Sequence, residues 1–370
     1  MKMLSIKPEV QLYDTCKQFC EDYAINENDL IITNEYIFNP LFANLGVKAT
    51  VLYQEKYGLG EPSDEMAEKI YADIPKTAKR IIAIGGGTII DISKLFALKN
   101  VSPVLDLFDR KLDIIKDKEL ILVPTTCGTG SEVTNISILE LKSRHTKLGL
   151  ATDELYADKA VMIPELLLGL PFKFFATSSV DALIHAFESS LSPKATPYTK
   201  LFGYKAIELI LKGYQEIAKN GEDARKPLLK DFLIASNYAG VAFGNAGCAA
   251  VHAMSYPLGG TYHVPHGEAN YALFTGVFKT YQKINPNGAI KEFDTFIAGL
   301  LGCATNVVYD ELEKLLNKIL QRKPLHEYGV TKEDVKAFTE NVMTKQGRLM
   351  ANNYVELDAA AVEKIYNELY

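Results

Sequence analysis

A chain of 370 residues, 48% hydrophobic and 23% charged, is long enough for two domains with substantial cores and too apolar to be disordered. Its net charge of -6 argues against a nucleic-acid surface, and five scattered cysteines (Cys16, Cys20, Cys127, Cys248 and Cys303) with no C-x-x-C pair fit reduced thiols in a cytoplasmic protein. The opening MKMLSIKPEVQLYD lacks the apolar run of a signal peptide, and the most apolar later stretch, LLLGLPFKFFA from Leu166, is broken by Pro171 and Lys173, so neither secretion nor membrane spanning is expected.

In chain order, the first half carries short apolar, β-branched runs bounded by turn residues: DLIITNE (29–35), ATVLYQE (49–55), RIIAIGGG (80–87) and ELILVPTT (119–126). Helical patterns such as EMAEKIYADI (65–74) lie between them. Nearly continuous apolar strands alternating with amphipathic helices are what a parallel sheet covered on both faces requires, so this half reads as α/β. After the Gly-Leu-Pro break in ELLLGLPFKFFA the pattern turns helical, through YTKLFGYKAIELILKGYQEIA, PLLKDFLIASNYAGVAF, YDELEKLLNKILQRK, EDVKAFTENVMTKQ and DAAAVEKIYNELY. We place the join there, giving an α/β domain over 1–172 and an all-α domain over 173–370. The run VDALIHAFES (180–189) then opens the second domain beside an interdomain cleft, where ligand sites are frequent.

Two loops in the first half have the chemistry of phosphate cradles. In RIIAIGGGTIIDISK a strand passes directly into a helix through Gly85, Gly86, Gly87 and Thr88, so backbone can approach a phosphate while helix-start N–H groups face it. The strand ELILVPTT ends in PTTCGTGSEVT (124–134), which offers the hydroxyls of Thr125, Thr126, Thr129 and Ser131 at the carboxyl end of a parallel strand. Two such loops on one sheet favour a dinucleotide over a pair of tight turns.

Asp181 and His185 stand four apart on one helix face, a spacing at which each can satisfy the other in a core. As metal ligands they need partners from elsewhere. Of six histidines, His252, His263 and His266 fall within fifteen residues, while His145 and His326 sit in polar surroundings and read as surface residues. Asp181, His185, His252 and His266 together make one carboxylate and three imidazoles, a set suited to a divalent transition metal that leaves Fe²⁺ and Zn²⁺ both open.

Four segments carry a family resemblance: GGGTIID-x-x-K (85–94), PTTCGTGSEVT (124–134), DALIHAFES (181–189) and VHAMSYPLGGTYHVPHGEAN (251–270). Through them the chain resembles the iron-containing (group III) alcohol dehydrogenases over nearly its whole length. The resemblance implies a Rossmann-like dinucleotide-binding domain, a dehydroquinate synthase-like helical metal-binding domain, NAD(H), a metal (Fe²⁺ or Zn²⁺) and a homodimer or larger homo-oligomer. It assigns the metal to Asp181, His185, His252 and His266. Cofactor contacts fall on Gly85, Gly86, Gly87, Thr88, Asp91, Thr125, Thr126 and Thr129, with a family lysine aligned to Lys147.

Two departures stand out. Where many members have a proton-relaying histidine four residues after the third ligand, this chain has Tyr256, with His263 as the other candidate relay. At the end of DLIITNE, where NAD-preferring members often place an acidic residue against the ribose hydroxyls, it has Asn34 followed by Glu35. NAD(H) is still expected, with Asn34 among its contacts.

The segment from His252 to Tyr271 is similar to that of members acting on 4-hydroxybutyrate, which implies reversible reduction of succinic semialdehyde. A primary-alcohol or 1,3-propanediol dehydrogenase is the alternative, and the D-A-x-x-H-A motif disfavours the related lyases. A small aldehyde or alcohol with a remote carboxylate is the expected partner, but no residue for that carboxylate emerges. Arg144, in the charged run KSRHTK, reads as solvated.

Overall fold

The computed structural model describes residues 2–144 and 146–370, so His145 lies outside the described residues. The chain separates into two compact units, one spanning Ile6–Leu170 and the other Pro171–Tyr370 together with the residues up to Ser5.

The first unit is built on a six-stranded parallel sheet. Its strands are β1 (Glu9–Leu12), β2 (Asp29–Thr33), β3 (Thr50–Tyr53), β4 (Arg80–Gly85), β5 (Glu119–Pro124) and, after a two-stranded antiparallel hairpin of β6 (Ile136–Leu141) and β7 (Thr146–Ala151), β8 (Lys159–Met162). The spatial order is β1-β8-β5-β4-β2-β3. All of β2 and all but the first residue of β4 and of β5 are buried, as in a parallel sheet covered by helices on both faces. On one side Leu30, Ile32, Ile81, Ala83, Leu120 and Leu122 pack with Ile89, Ile92 and Phe96 of the helix Gly87–Phe96. Each large side chain removed from water there contributes roughly 1.5–3 kcal/mol. The hairpin has the other texture, with β6 alternating buried and half-buried residues, and lays Leu139, Leu141 and Leu150 into the same core. The short edge strand β1, the short β8 and the hairpin are the elements that the apolar runs did not announce.

The second unit is helical. A long helix, Phe172–Leu191, packs with Pro197–Asn220 and Leu229–Ala246, and Ala250–Tyr262 and His266–Ile284 pack against one another. Pro197 fits the first turn of its helix, where no intrahelical N–H partner is lost, and Thr196 and Thr199 cap that turn reciprocally. The start of the chain belongs to this unit: the Ser5 N–H donates to Asn245 Oδ1 at 2.7 Å and Asn245 Nδ2 returns a bond to the Ser5 carbonyl at 3.0 Å. No helix among the described residues is long and apolar enough to cross a membrane.

Candidate metal centre and dinucleotide loops

In the α/β unit the two glycine-bearing loops lie side by side at the carboxyl ends of neighbouring strands. Gly86 is the N-cap of the helix Gly87–Phe96 and no side chain caps it, which leaves the helix-start N–H groups available to an anion. The Thr125 N–H donates to the Gly85 carbonyl at 3.1 Å. A Cβ on Gly87 would stand 2.9 Å from Thr129 Cγ2, so glycine is what permits the second loop to close on the first. Gly85, Gly86, Gly87, Thr88, Thr125, Thr126 and Thr129 are therefore gathered in one place. The loops fit a dinucleotide's pyrophosphate on the chemistry of this cradle: close backbone, uncapped donors and hydroxyls.

Asp91, expected among the cofactor contacts, is engaged within the protein. Its carboxylate turns inward, accepting from Ser131 Oγ, from Lys94 Nζ at 3.1 Å and from the Ile138 N–H at 3.1 Å. Lys94 is fully buried and also reaches Thr134 Oγ1 at 3.1 Å and the Ile136 carbonyl at 2.6 Å. Burial lowers the Lys94 pKa while Asp91 opposes that shift. The pair clamps the PTTCGTGSEVT loop to the helix that follows the glycines. Lys147, on β7, pairs with Glu61, and Thr88 Oγ1 donates to the Gly60 carbonyl at 3.3 Å. Asn34 is buried, and its amide donates to Gln54 and Glu55.

In the helical unit, Asp181 and His185 come from the helix Phe172–Leu191, His252 from Ala250–Tyr262, and His266 from the first turn of His266–Ile284. Their ligand atoms all lie within 4.8 Å of one another. Asp181 Oδ1 is 3.8 Å from Nε2 of both His252 and His266, and Asp181 Oδ2 is 3.9 Å from His185 Nδ1. Asp181, His185 and His252 are buried. The helices approach closely at Gly267, where a Cβ would stand 2.3 Å from the Thr177 carbonyl oxygen. That contact brings His266 up to the helix of Asp181.

Three further residues orient the donors. Glu188 Oε2 lies 2.6 Å from His252 Nδ1, and its Oε1 accepts the Val251 N–H at 2.6 Å. An ionised carboxylate only accepts, so Nδ1 carries a proton, and Nε2 points toward Asp181, where it offers a lone pair once its own proton is displaced. Ser255 Oγ donates to Asn270 Oδ1, and Asn270 Nδ2 donates to Asp181 Oδ1 at 2.7 Å while lying 3.1 Å from His252 Nε2 and 3.2 Å from His266 Nε2. Asp181 Oδ1 and the Nε2 atoms of His252 and His266 converge around the Asn270 amide, with 3.8 Å from the oxygen to each nitrogen, a few tenths wider than the about 3.4 Å that tetrahedral ligation at ~2.1 Å needs. The residues fit a divalent transition ion.

The electrostatics agree. Burial would raise the Asp181 pKa, but His185, His266 and His252, with the Asn270 amide, hold it below the usual carboxylate range. Burial would lower His252, yet Cys248 and Glu188 push it well above the ordinary histidine value.

Tyr256 lies beside the cluster, its ring 6.3 Å from that of His266, with a pKa raised by burial and held back by His252 and Arg348. His263 is exposed at the C-cap of Ala250–Tyr262 with φ 53°, and Pro265 separates it from the helix that His266 begins. Arg144 makes a bidentate pair with Asp109 at 2.7 and 2.8 Å, and His326 Nδ1 meets the Tyr370 carbonyl. Sequence reasoning overlooked Glu188 and Asn270. Both were legible by spacing, Glu188 seven residues after Asp181 and Asn270 four after His266, each on its ligand's face of the helix.

Comparison with known proteins gives one answer. The model for iron-containing alcohol dehydrogenase matches residues 11–164, and that for the C-terminal part of the Fe-containing alcohol dehydrogenase family matches 175–370. A 4-hydroxybutyrate dehydrogenase of Clostridium kluyveri is 53% identical over 371 residues, covering all of both chains. Long-chain-alcohol dehydrogenase 1 of Geobacillus thermodenitrificans is 32% identical, covering 90% of this chain and 88% of its own. Among solved structures, sulfoacetaldehyde reductase from Bifidobacterium kashiwanohense, in complex with NAD+, superposes with a TM-score of 0.85 at 23% identity, covering 100% of this chain and 98% of its own, a likeness of fold. With both halves of the chain matched, it belongs to the iron-containing alcohol dehydrogenase family.

Proposed function

We propose that this chain is a metal- and NAD(H)-dependent alcohol dehydrogenase that interconverts succinic semialdehyde and 4-hydroxybutyrate, residues 1–172 serving the dinucleotide and 173–370 the metal. The observation that carries the chemistry is the convergence of Asp181, His185, His252 and His266, the first three of them buried. Full-length likeness to the Clostridium kluyveri 4-hydroxybutyrate dehydrogenase supports the substrate.

Asp181, His185, His252 and His266 would hold the ion. When bound, the ion supplies Lewis-acid polarisation of a carbonyl and the nicotinamide supplies hydride. The chain's own residues do the rest. Glu188 holds His252 with its Nε2 toward Asp181, and Asn270 holds Asp181 itself. Val180, Leu183, Ile184 and Phe187, all buried around the first two ligands, keep that helix dry and rigid. Conversion of aldehyde to alcohol needs one proton for each hydride, and Tyr256, a phenol protonated at neutral pH whose ring stands 6.3 Å from that of His266, would donate it.

Arg348 is our choice for the substrate carboxylate. Its short helix, Gly347–Met350, packs against Ala250–Tyr262, its charge is felt by the Tyr256 phenol, and it makes no ion pair among the described residues. A free guanidinium beside the proton donor suits a carboxylate. The test is NADH oxidation by Fe²⁺-loaded enzyme with succinic semialdehyde against butanal. Succinic semialdehyde is expected to be strongly preferred, and Arg348→Met to raise its KM about tenfold while leaving butanal unchanged. Equal kcat/KM for the two aldehydes in the unmutated enzyme would sink the carboxylate specificity.

A further inference from the structure

The end of β2 poses a problem of cofactor choice. An acidic side chain at such a strand end accepts the adenosine ribose hydroxyls and repels a 2′-phosphate, yet the residue after β2 is Asn34, an amide. The structure brings a carboxylate to that place from the neighbouring strand.

Strands β2 and β3 are parallel and in register to their last residues, Thr33 opposite Tyr53. Gln54 and Glu55 follow β3 as Asn34 and Glu35 follow β2, so the two chain segments emerge level. Glu55 Oε2 accepts from Asn34 Nδ2 at 2.8 Å, and Glu55 Oε1 accepts the Glu35 N–H at 2.7 Å. Asn34 Nδ2 also donates to Gln54 Oε1 at 3.1 Å. Asn34 is itself buried, so the two donors that fix the carboxylate are set by the fold. Glu55 remains partly exposed and pairs with no cation among the described residues. Each oxygen takes one of these hydrogen bonds and retains capacity for a hydroxyl.

The position is the right one. β2 lies next to β4, whose carboxyl end carries the glycine loop, and in open α/β sheets ligands run along the carboxyl ends of adjacent strands. A dinucleotide with its pyrophosphate at Gly85–Gly87 has β2 and then β3 as the next strand ends on that side.

We propose that Glu55 selects NAD(H) over NADP(H), with Asn34 as the residue that positions it. The inference rests on the dinucleotide reading above. A ribose 2′-hydroxyl meets an accepting oxygen already held in place, whereas a 2′-phosphate meets an uncompensated negative charge.

The experiment compares NADH and NADPH, both as kcat/KM in succinic semialdehyde reduction and as Kd by nucleotide fluorescence, in the full-length metal-loaded enzyme. The unmutated protein is expected to favour NADH. Glu55→Gln and Glu55→Ala are each expected to narrow the NADH/NADPH ratio about tenfold or more, chiefly by tightening NADPH, while Glu35→Gln leaves the ratio alone. Glu55→Gln keeps the side chain's size and one acceptor, so it remains informative where Glu55→Ala melts early. An unchanged ratio in folded Glu55→Gln overturns the proposal, as does equal use of both cofactors by the unmutated enzyme or an equal effect of Glu35→Gln. Failure of the dinucleotide reading has its own signature, since then neither nucleotide binds the unmutated protein, and the proposal falls with it.

Discussion

The candidate dinucleotide loops are made of backbone, glycine and small hydroxyls at the ends of β4 and β5, and Asp91 with Lys94 clamps the second to the helix that follows the first. The candidate metal centre is made of four side chains drawn from three helices, with Glu188 and Asn270 bonded to two of them. One site is a shape and the other is a set of atoms. A shape is damaged by adding bulk or by releasing what holds it, and the fold suffers with it. A set of atoms is damaged by subtraction, and the fold around it can stand.

That contrast can be broken at several points. His252→Ala and His266→Ala should abolish stoichiometric metal, by more than the roughly hundredfold that outer residues control, while circular dichroism and melting of metal-free His266→Ala, which leaves the Glu188–Val251 bond in place, stay near the unmutated value. Metal analysis decides it, and a large loss of fold in His266→Ala would erase the distinction drawn here. Lys94→Met should act in the opposite way, leaving metal content intact but destabilising the protein by about 3–5 kcal/mol, because Asp91 keeps its charge without its buried partner. Denaturant unfolding of the metal-loaded protein measures this.

Smaller effects sharpen the comparison. Glu188→Gln offers one acceptor to two donors, the Val251 N–H and His252 Nδ1, and should weaken metal binding roughly 10- to 100-fold in chelator competition. An unchanged affinity would mean that His252 holds its orientation without Glu188. Protons compete for the same atoms, since imidazoles ligate only when neutral. With the His252 pKa raised by Cys248 and Glu188 against the pull of burial, metal affinity should fall about tenfold per pH unit below that pKa for each proton displaced. A flat affinity between pH 8 and 6 would contradict that protonation scheme.

How much of this could be read beforehand follows the same division. The central strands were legible because a strand buried on both faces is an unbroken apolar run, as in Arg80–Gly85 and Glu119–Pro124. β1 and β8, of four residues each, are too short to give a pattern, and the β6–β7 hairpin is half-buried and mixes lysine and glycine with its apolar residues. The candidate metal ligands were nameable through motif and resemblance, since each sits in a recognisable segment, and the structure brings their ligand atoms within 4.8 Å of one another. Asp91 was also nameable, but its direction was not: a carboxylate four residues after Gly87 faces a phosphate or a clamp depending on where Ser131 and Lys94 lie. Glu55 was out of reach because its meaning comes from Asn34, twenty-one residues away on the neighbouring strand. Spacing along a helix is written in the sequence, whereas register between parallel strands is settled by the sheet.

The bonds between Ser5 and Asn245 carry one more implication. Because the chain touches the helical unit before Ile6 and returns to it only after Leu170, the α/β unit is an insertion in the helical one. During synthesis the inserted unit has all of its strands as soon as Met162 has emerged, and can close its sheet while the helical partners of the first residues are still unmade. Connectivity thus lets the two glycine-bearing loops close on a nascent chain, whereas the cluster of Asp181, His185, His252 and His266 is complete only after His266 has been added.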